Sequence, residues 1–112
     1  MKVRNDVAAG YLNGLEPLLD TKGKLGYCVA RNNRLLVTEL REYILMRDGL
    51  IAKYGDGKSI SPTMPGWEAF AKEMSDVDVI ERDYDFEKIT WQEASEQLTA
   101  RQMLAIDWML ED

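Results

Sequence analysis

The sequence contains no histidine and only one cysteine among its 112 residues. Histidine is the commonest general base and a frequent zinc ligand, so its absence removes Cys–His dyads and the usual zinc sites. A lone cysteine cannot form an internal disulfide and fits a reducing cytosol. Because Cys28 lies at helical spacing beside Leu25 and Val29, we predict a buried structural thiol rather than a nucleophile.

Long apolar runs are also missing. No stretch approaches the ~20 residues of a membrane-spanning helix, and no hydrophobic segment like that of a signal peptide follows Met1–Asp6. A chain of this length, with 46% hydrophobic and 30% charged residues, predicts one globular domain, residues 1–112. We expect a cytoplasmic protein without membrane contact.

Two segments partly match ligand-binding motifs, but each lacks a glycine that its motif requires. A phosphate-binding loop at Gly55–Ser59 would need a glycine at position 52, where the chain has Ala52. A calcium loop beginning at Asp76 would need glycine at its sixth position, which is Glu81. We therefore predict no cofactor and no metal. The abundant carboxylates are interpreted as a solvated face rather than a catalytic pair, so we expect no enzyme.

Charge is divided unevenly along the chain, whose net charge is −6. Residues 1–66 carry ten Lys or Arg and seven Asp or Glu, a net of +3, whereas residues 67–112 carry four and thirteen, a net of −9. Either the acidic half neutralises basic residues of the same molecule, or it faces a basic partner. The candidate partner-binding residues are Asp76, Asp78, Glu81, Asp83, Asp85 and Glu87.

The most informative pattern runs from Leu25 to Tyr54, where apolar residues recur at α-helical spacing and basic residues take the opposite face. A helix of about 30 residues spans roughly 45 Å, so we predict one long central helix. Arg47 falls within the apolar arc and needs either a partner, such as Asp107, or an exposed head group. The apolar face is Leu25, Val29, Leu36, Leu40, Tyr43, Leu50 and Tyr54; the basic stripe is Lys24, Arg31, Arg34 and Arg41.

Signals at the two ends of the chain predict further helices. Asn5 or Asp6 can cap a first helix, which Pro17 should end or kink. The Thr99–Gln102 segment reads as a capping box that starts a C-terminal helix, with a short helix or turn before it over residues 91–97. Gly55–Ser59 is predicted to be a flexible loop.

Between these helices we predict a short helix over Pro65–Met74, followed by two alternating runs at Val77–Val79 and Tyr84–Phe86. The two runs either pair as a small hairpin or form one extended segment. The predicted fold class is α+β and predominantly helical, with a long central helix, antiparallel helix packing, a short C-terminal helix and a minor β-hairpin. Trp67, Trp91 and Trp108 are predicted to anchor the core.

Short segments spread along nearly the whole chain form an ordered set: Ala30–Asn32, Leu35–Leu36, Glu39–Leu40, Arg47–Asp48, Leu50–Ile51, Lys53–Gly55, Leu98–Ala100 and Ile106–Leu110. This set resembles a family of small phage and prophage proteins of unknown function. The resemblance implies a tailed phage or prophage of Gram-positive bacteria, and it brings no established activity and no catalytic residues. Pro17 departs from the family pattern.

From phage context and acidity we expect a non-enzymatic accessory protein in the host cytoplasm. It would bind a host protein through its acidic half and inhibit a defence or nucleic-acid-handling complex, as anti-CRISPR proteins do. Net negative charge argues against direct binding of nucleic acid. The alternative is a virion assembly or structural protein that forms a homo-oligomer through the long helix.

Overall fold

A computed structural model describes residues 1–112 and is predominantly helical, as predicted. The α-helices are α1 (Asn5–Leu15), α2 (Gly23–Glu39), α3 (Arg41–Tyr54), α4 (Trp67–Asp78), α5 (Trp91–Ser95) and α6 (Ala100–Ala105). Short 3₁₀ turns cover Glu16–Leu18 and Asp107–Met109. The strands are β1 (Lys2–Arg4), β2 (Glu81–Asp83), β3 (Ile89–Thr90) and β4 (Leu110–Glu111).

The predicted single central helix is two helices. Residues 23–39 and 41–54 meet at Leu40, whose backbone leaves the helical region at φ −95° and ψ 4°. No proline or glycine lies between Val29 and Asp48 to mark this break. The apolar pattern is continuous, but α2 packs on α1 and β3 while α3 packs on α4. Leu40 is fully buried where the two helices meet, so tertiary packing overrides the local helical pattern.

The predicted β-hairpin is wrong. Val77 belongs to α4, because with Phe70 and Met74 it repeats at helical spacing on the inner face of that helix. The strand pairs instead join distant segments. Antiparallel β1 and β2 place Lys2 opposite Asp83, and parallel β3 and β4 place Ile89 opposite Leu110.

The first helix begins where predicted but without the predicted cap. Asn5 is its first helical residue rather than its N-cap, and Asn5 Nδ2 donates a hydrogen bond to the Val77 carbonyl at 2.9 Å. That bond ties α1 to α4. The helix ends at Leu15, and Pro17 lies in the 3₁₀ turn that follows, which confirms its predicted role as a helix terminator.

The C-terminal helix starts at the predicted capping box. The Gln102 amide donates to Thr99 Oγ1 at 3.2 Å, and the Thr99 amide donates to Gln102 Oε1 at 2.8 Å. Both orphan amides are thus satisfied. The predicted flexible loop at Gly55–Ser59 forms a defined turn, in which Asp56 Oδ1 accepts from the amides of Lys58 and Ser59. These bonds lower the pKa of the Asp56 carboxyl.

Aromatic rings form one side of the core. Tyr11 stacks on Trp108 with ring centroids 4.5 Å apart, and Phe86 meets the edge of the same indole at 4.6 Å. Tyr84 stacks on Phe86 at 5.0 Å. Trp108 therefore anchors the core as predicted. Through Phe86 it also holds the chain segment that carries several of the candidate partner-binding residues. Cys28 is buried as predicted, and burial raises the pKa of its thiol.

Candidate partner-binding surface

The six predicted contact residues lie on three successive elements. Asp76 and Asp78 occupy the last turn of α4, Glu81 and Asp83 are the ends of β2, and Asp85 and Glu87 lie on the segment that leads to β3. Asp78 and Glu87 are half-buried and the other four residues are exposed. The structure therefore brings the residues onto one continuous stretch but does not give them equal access to a partner.

Burial of the intervening aromatics orients the carboxylates at 83–86. Tyr84 and Phe86 are buried, whereas Asp83 and Asp85 are exposed, as expected for an extended chain with successive side chains on opposite sides. The predicted alternation in this run is confirmed. Because Trp108 holds Phe86 and Tyr84 stacks on Phe86, the two carboxylates point toward solvent.

A buried asparagine in α2 holds the end of the acidic segment. Asn32 Nδ2 donates to the Glu87 carbonyl at 3.0 Å, and the Glu87 amide donates to Asn32 Oδ1 at 2.8 Å. This pair satisfies backbone groups that would otherwise be buried without partners. Sequence reasoning missed Asn32, although its position between Val29 and Leu36 on the apolar face of α2 was a usable signal.

The basic stripe faces the acidic segment without pairing to it. Arg31 and Arg34 line a groove of about 350 Å³ together with Asp85 and Glu87, but no ion pair within 4.0 Å joins the two sides. Lys24 pairs instead with Glu93 at 3.3 Å, outside the acidic segment. Close neutralisation of residues 76–87 by the basic stripe is therefore not observed.

The first strand places cations beside the acidic strand, which sequence reasoning also missed. Lys2 lies opposite Asp83, and Arg4 lies opposite Glu81. The N-terminal ammonium is 2.9 Å from Asp83 Oδ1, and its hydrogen bond lowers the pKa of that carboxyl. Three residues carry too little periodicity to predict a strand. Because the cations of β1 and the N-terminus lie beside β2, the negative potential over this strand is weaker than its own acidic residues imply.

Asp78 lines a pocket between α1, α3 and α4. The Tyr43 hydroxyl donates to Asp78 Oδ1 at 2.6 Å, and burial together with this bond raises the pKa of Tyr43. Arg47 lies over the Tyr43 ring, with Cζ 5.8 Å from the centroid. The pocket holds about 330 Å³ and also includes Asp6. Arg47 thus contacts an aromatic face, and of the two alternatives for it the ion pair with Asp107 does not form.

The structure contains no group of three or more Cys, Asp or Glu residues placed to hold a metal ion. None of its helices is both long and apolar enough to cross a bilayer. Comparison of the chain with protein-family models, curated proteins and solved structures finds no match.

Proposed function

We propose that this chain is a phage-encoded accessory protein that acts without catalysis, by binding a basic host protein in the host cytoplasm. The bound protein would belong to a defence or nucleic-acid-handling complex, and binding would inhibit it in the manner of an anti-CRISPR protein. The phage origin rests on the family resemblance of segments such as Ile106–Leu110. The mode of action rests on the acidic surface.

One observation carries the proposed contact. Asp76, Glu81 and Asp85 are exposed, and none of them forms an ion pair within 4.0 Å in the molecule. Carboxylates without internal partners keep their long-range field, which accelerates encounter with a basic surface. A groove that normally holds DNA or RNA phosphates is such a surface.

We rank the six residues as proposed contacts by the neighbours that each has within the molecule. Glu81 and Asp83 lie opposite cations of β1, and Asp78 is engaged by the Tyr43 hydroxyl. Asp76 and Asp85 form no ion pair within 4.0 Å, although Asp85 shares its groove with Arg31 and Arg34. We therefore place the centre of the contact at these two residues, with the remaining four acidic residues at its edge.

The partner is identified by affinity capture from host lysate with mass spectrometry, and the contact is then tested on a variant. Replacing Asp76 and Asp85 with Asn should slow association and reduce its dependence on ionic strength, because two steering charges are removed. The melting temperature should not change, since exposed carboxylates contribute little to stability.

A matched control replaces Asp107 and Asp112, which are exposed and acidic but lie outside the segment. The association rate of this control should differ less from that of the wild type than the rate of the D76N/D85N variant does. Equal association by both variants and the wild type would exclude Asp76 and Asp85 from the contact. A loss of stability in the D76N/D85N variant would instead assign the carboxylates an internal structural role.

A second candidate is a virion assembly or structural protein that self-associates through the helices at residues 25–54. The observation that favours it is the exposure of Leu45 and Met46 on α3. Co-purification of the chain with phage particles, at fixed stoichiometry through a density gradient, is the expected result. Its absence from purified particles would contradict this candidate and leave the host-binding proposal intact.

A further inference from the structure

The strand that carries two of the acidic residues has an unpaired edge. The sheet formed by β1 and β2 has only these two strands, so β1 occupies one side of β2 and no strand occupies the other. An exposed strand edge presents a row of backbone N–H and C=O groups that can pair with a strand from another chain. Such an edge also specifies the conformation of what binds it, which is an extended segment.

Hydrogen bonds between the two strands show which backbone groups of β2 are free. Just beyond the strands, the Met1 ammonium donates to the Tyr84 carbonyl at 3.0 Å, and the Tyr84 amide donates to the Met1 carbonyl at 2.8 Å. Successive residues of an antiparallel strand point their backbone groups to opposite sides, so those of Arg82 also face β1. The backbone groups of Glu81 and Asp83 therefore face away from β1, where no strand pairs with them.

The same side of the chain continues past the end of β2. Asp85 lies outside every helix and strand, and neither its amide nor its carbonyl forms a backbone hydrogen bond. Two residues further, both backbone groups of Glu87 are engaged by the Asn32 side chain. Asn32 thus takes at Glu87 the place that an added strand would take at the earlier alternate positions. We call Glu81, Asp83 and Asp85 the open edge.

Charge decides what kind of strand fits the open edge. Its three side chains are exposed carboxylates, and they share one face because they alternate along an extended chain. Side chains directly opposite each other on paired strands are about 5 Å apart, where like charges destabilise the pair. A second copy of this chain would set carboxylate against carboxylate, so the edge does not pair with itself. A strand with Lys or Arg at alternate positions sets each cation beside one carboxylate.

Cations of the same molecule narrow this requirement to two positions. Strand β1 already places one cation opposite Asp83 and another opposite Glu81. An added strand lies on the other side of β2, so each of these carboxylates would stand between two rows of cations. At the end of the open edge, Asp85 shares its groove with Arg31 and Arg34, which disfavours a further cation there. The fitting strand therefore carries basic residues opposite Glu81 and Asp83 and a neutral residue opposite Asp85.

We infer that the basic partner is held by strand addition, with an extended segment of the partner pairing antiparallel to the open edge and placing Lys or Arg beside Glu81 and Asp83. Main-chain hydrogen bonds supply the affinity, and the two carboxylates select the cations. This mode of binding rests on the proposed function, because it specifies how a partner is held once Asp76 and Asp85 have steered it to the surface.

Amide hydrogen exchange, measured by NMR, tests the open edge directly. In the free protein the amides of Glu81, Asp83 and Asp85 should exchange rapidly, whereas those of Arg82 and Tyr84, which face β1, should be protected. The probe is the blocked peptide acetyl-Thr-Val-Lys-Val-Lys-Val-amide, whose lysines would lie opposite Asp83 and Glu81. Its binding should slow exchange at all three open-edge amides. Absence of binding, or binding that leaves their exchange unchanged, would overturn strand addition.

Methylation of the peptide backbone separates strand pairing from charge attraction. In the antiparallel pair the lysine amides face the open edge and the valine amides face away from it. N-methylation of both lysine amides should therefore weaken binding about tenfold or more through the lost hydrogen bonds. N-methylation of two valine amides is the matched control and should leave binding unchanged. Equal binding of the two methylated peptides, or a loss confined to the valine-methylated one, would overturn the antiparallel pairing.

Two substitutions of one residue carry the test to the captured host protein as well as the peptide. Asp85→Asn removes the carboxylate and keeps the backbone amide, whereas Asp85→Pro removes both. Proline is tolerated at a strand edge whose amide bonds to nothing in the molecule, so circular dichroism should not change.

The Asp85→Pro variant should bind about fivefold more weakly than Asp85→Asn, because one main-chain hydrogen bond is lost. Equal binding of the host protein by both variants would overturn strand addition and leave host binding itself intact. Failure to capture any host protein, while the peptide still protects the open-edge amides, would contradict the proposed function and leave strand addition standing.

Discussion

Helices α2 and α3 continue one amphipathic pattern in the sequence, yet they are packed very differently. The second helix buries five residues, Leu25, Cys28, Val29, Asn32 and Leu36, whereas the third buries only Tyr43. The difference arises from their neighbours. Elements that precede and follow α2 in the sequence, α1 and β3, pack against it, whereas α3 is covered by α4 on one side. Periodicity thus predicts which side of a helix is apolar and says little about how completely that side is covered.

The largest effect should come from truncating the α2 side of this comparison. Leu36 is fully buried, so Leu36→Ala should reduce the free energy of unfolding by about 2–5 kcal/mol through lost burial and a residual cavity. The corresponding change in α3, at half-buried Leu50, should cost about 1 kcal/mol. Urea unfolding monitored by circular dichroism measures both. Equal losses at the two positions would mean that α3 is as tightly packed as α2.

The next effect concerns the buried polar contact of α2. Asn32→Ala leaves both the amide and the carbonyl of Glu87 without their partner, so we expect a loss of about 2–3 kcal/mol in the free energy of unfolding. The adjacent Asn33 makes no side-chain hydrogen bond and is only half-buried. Its replacement by Ala should change stability by less than about 0.5 kcal/mol. Similar effects for the two variants would show that Asn32 does not hold the acidic segment.

The smallest effect belongs to the polar contact of α3. Tyr43→Phe removes the hydrogen bond to Asp78 and keeps the ring, so we expect about 1.5 kcal/mol of destabilisation. Tyr27→Phe is the control, because Tyr27 is exposed and has no partner. Thermal melts of both variants and the wild type measure the destabilisation that each substitution causes. A Tyr43→Phe melt that coincides with the control would show that Asp78 is solvated in solution.

Elements with a local chemical signal were predictable from the sequence. The Thr99 cap requires only a hydroxyl and an amide three residues apart, and Pro17 stops a helix through its own ring. The amphipathic faces and the burial of Cys28 follow from periodicity. Each of these features depends on residues within about one or two helical turns, which is the range over which sequence patterns are informative.

Features decided by distant contacts were missed. No proline or glycine marks the break at Leu40, which is determined instead by the elements that pack on each of the two helices. Strand β1 is three residues long and exists because it meets β2 across most of the chain. The candidate site was predicted in part: the acidic residues and their alternation at 83–86 were identified, but the cations of β1 and the Asn32 contact were not.

The strand pairs also constrain the order in which the chain folds. Residues 2–4 must wait for residues 81–83 before they can pair, whereas the helices between them need only local contacts. Closing a loop of this length lowers the conformational entropy of the chain before the strand pairing contributes any stability. We expect the helices to form early in the transition state for folding and β1 to dock last. The acidic surface, whose potential depends on the cations of β1, would then reach its final charge balance only when folding is complete.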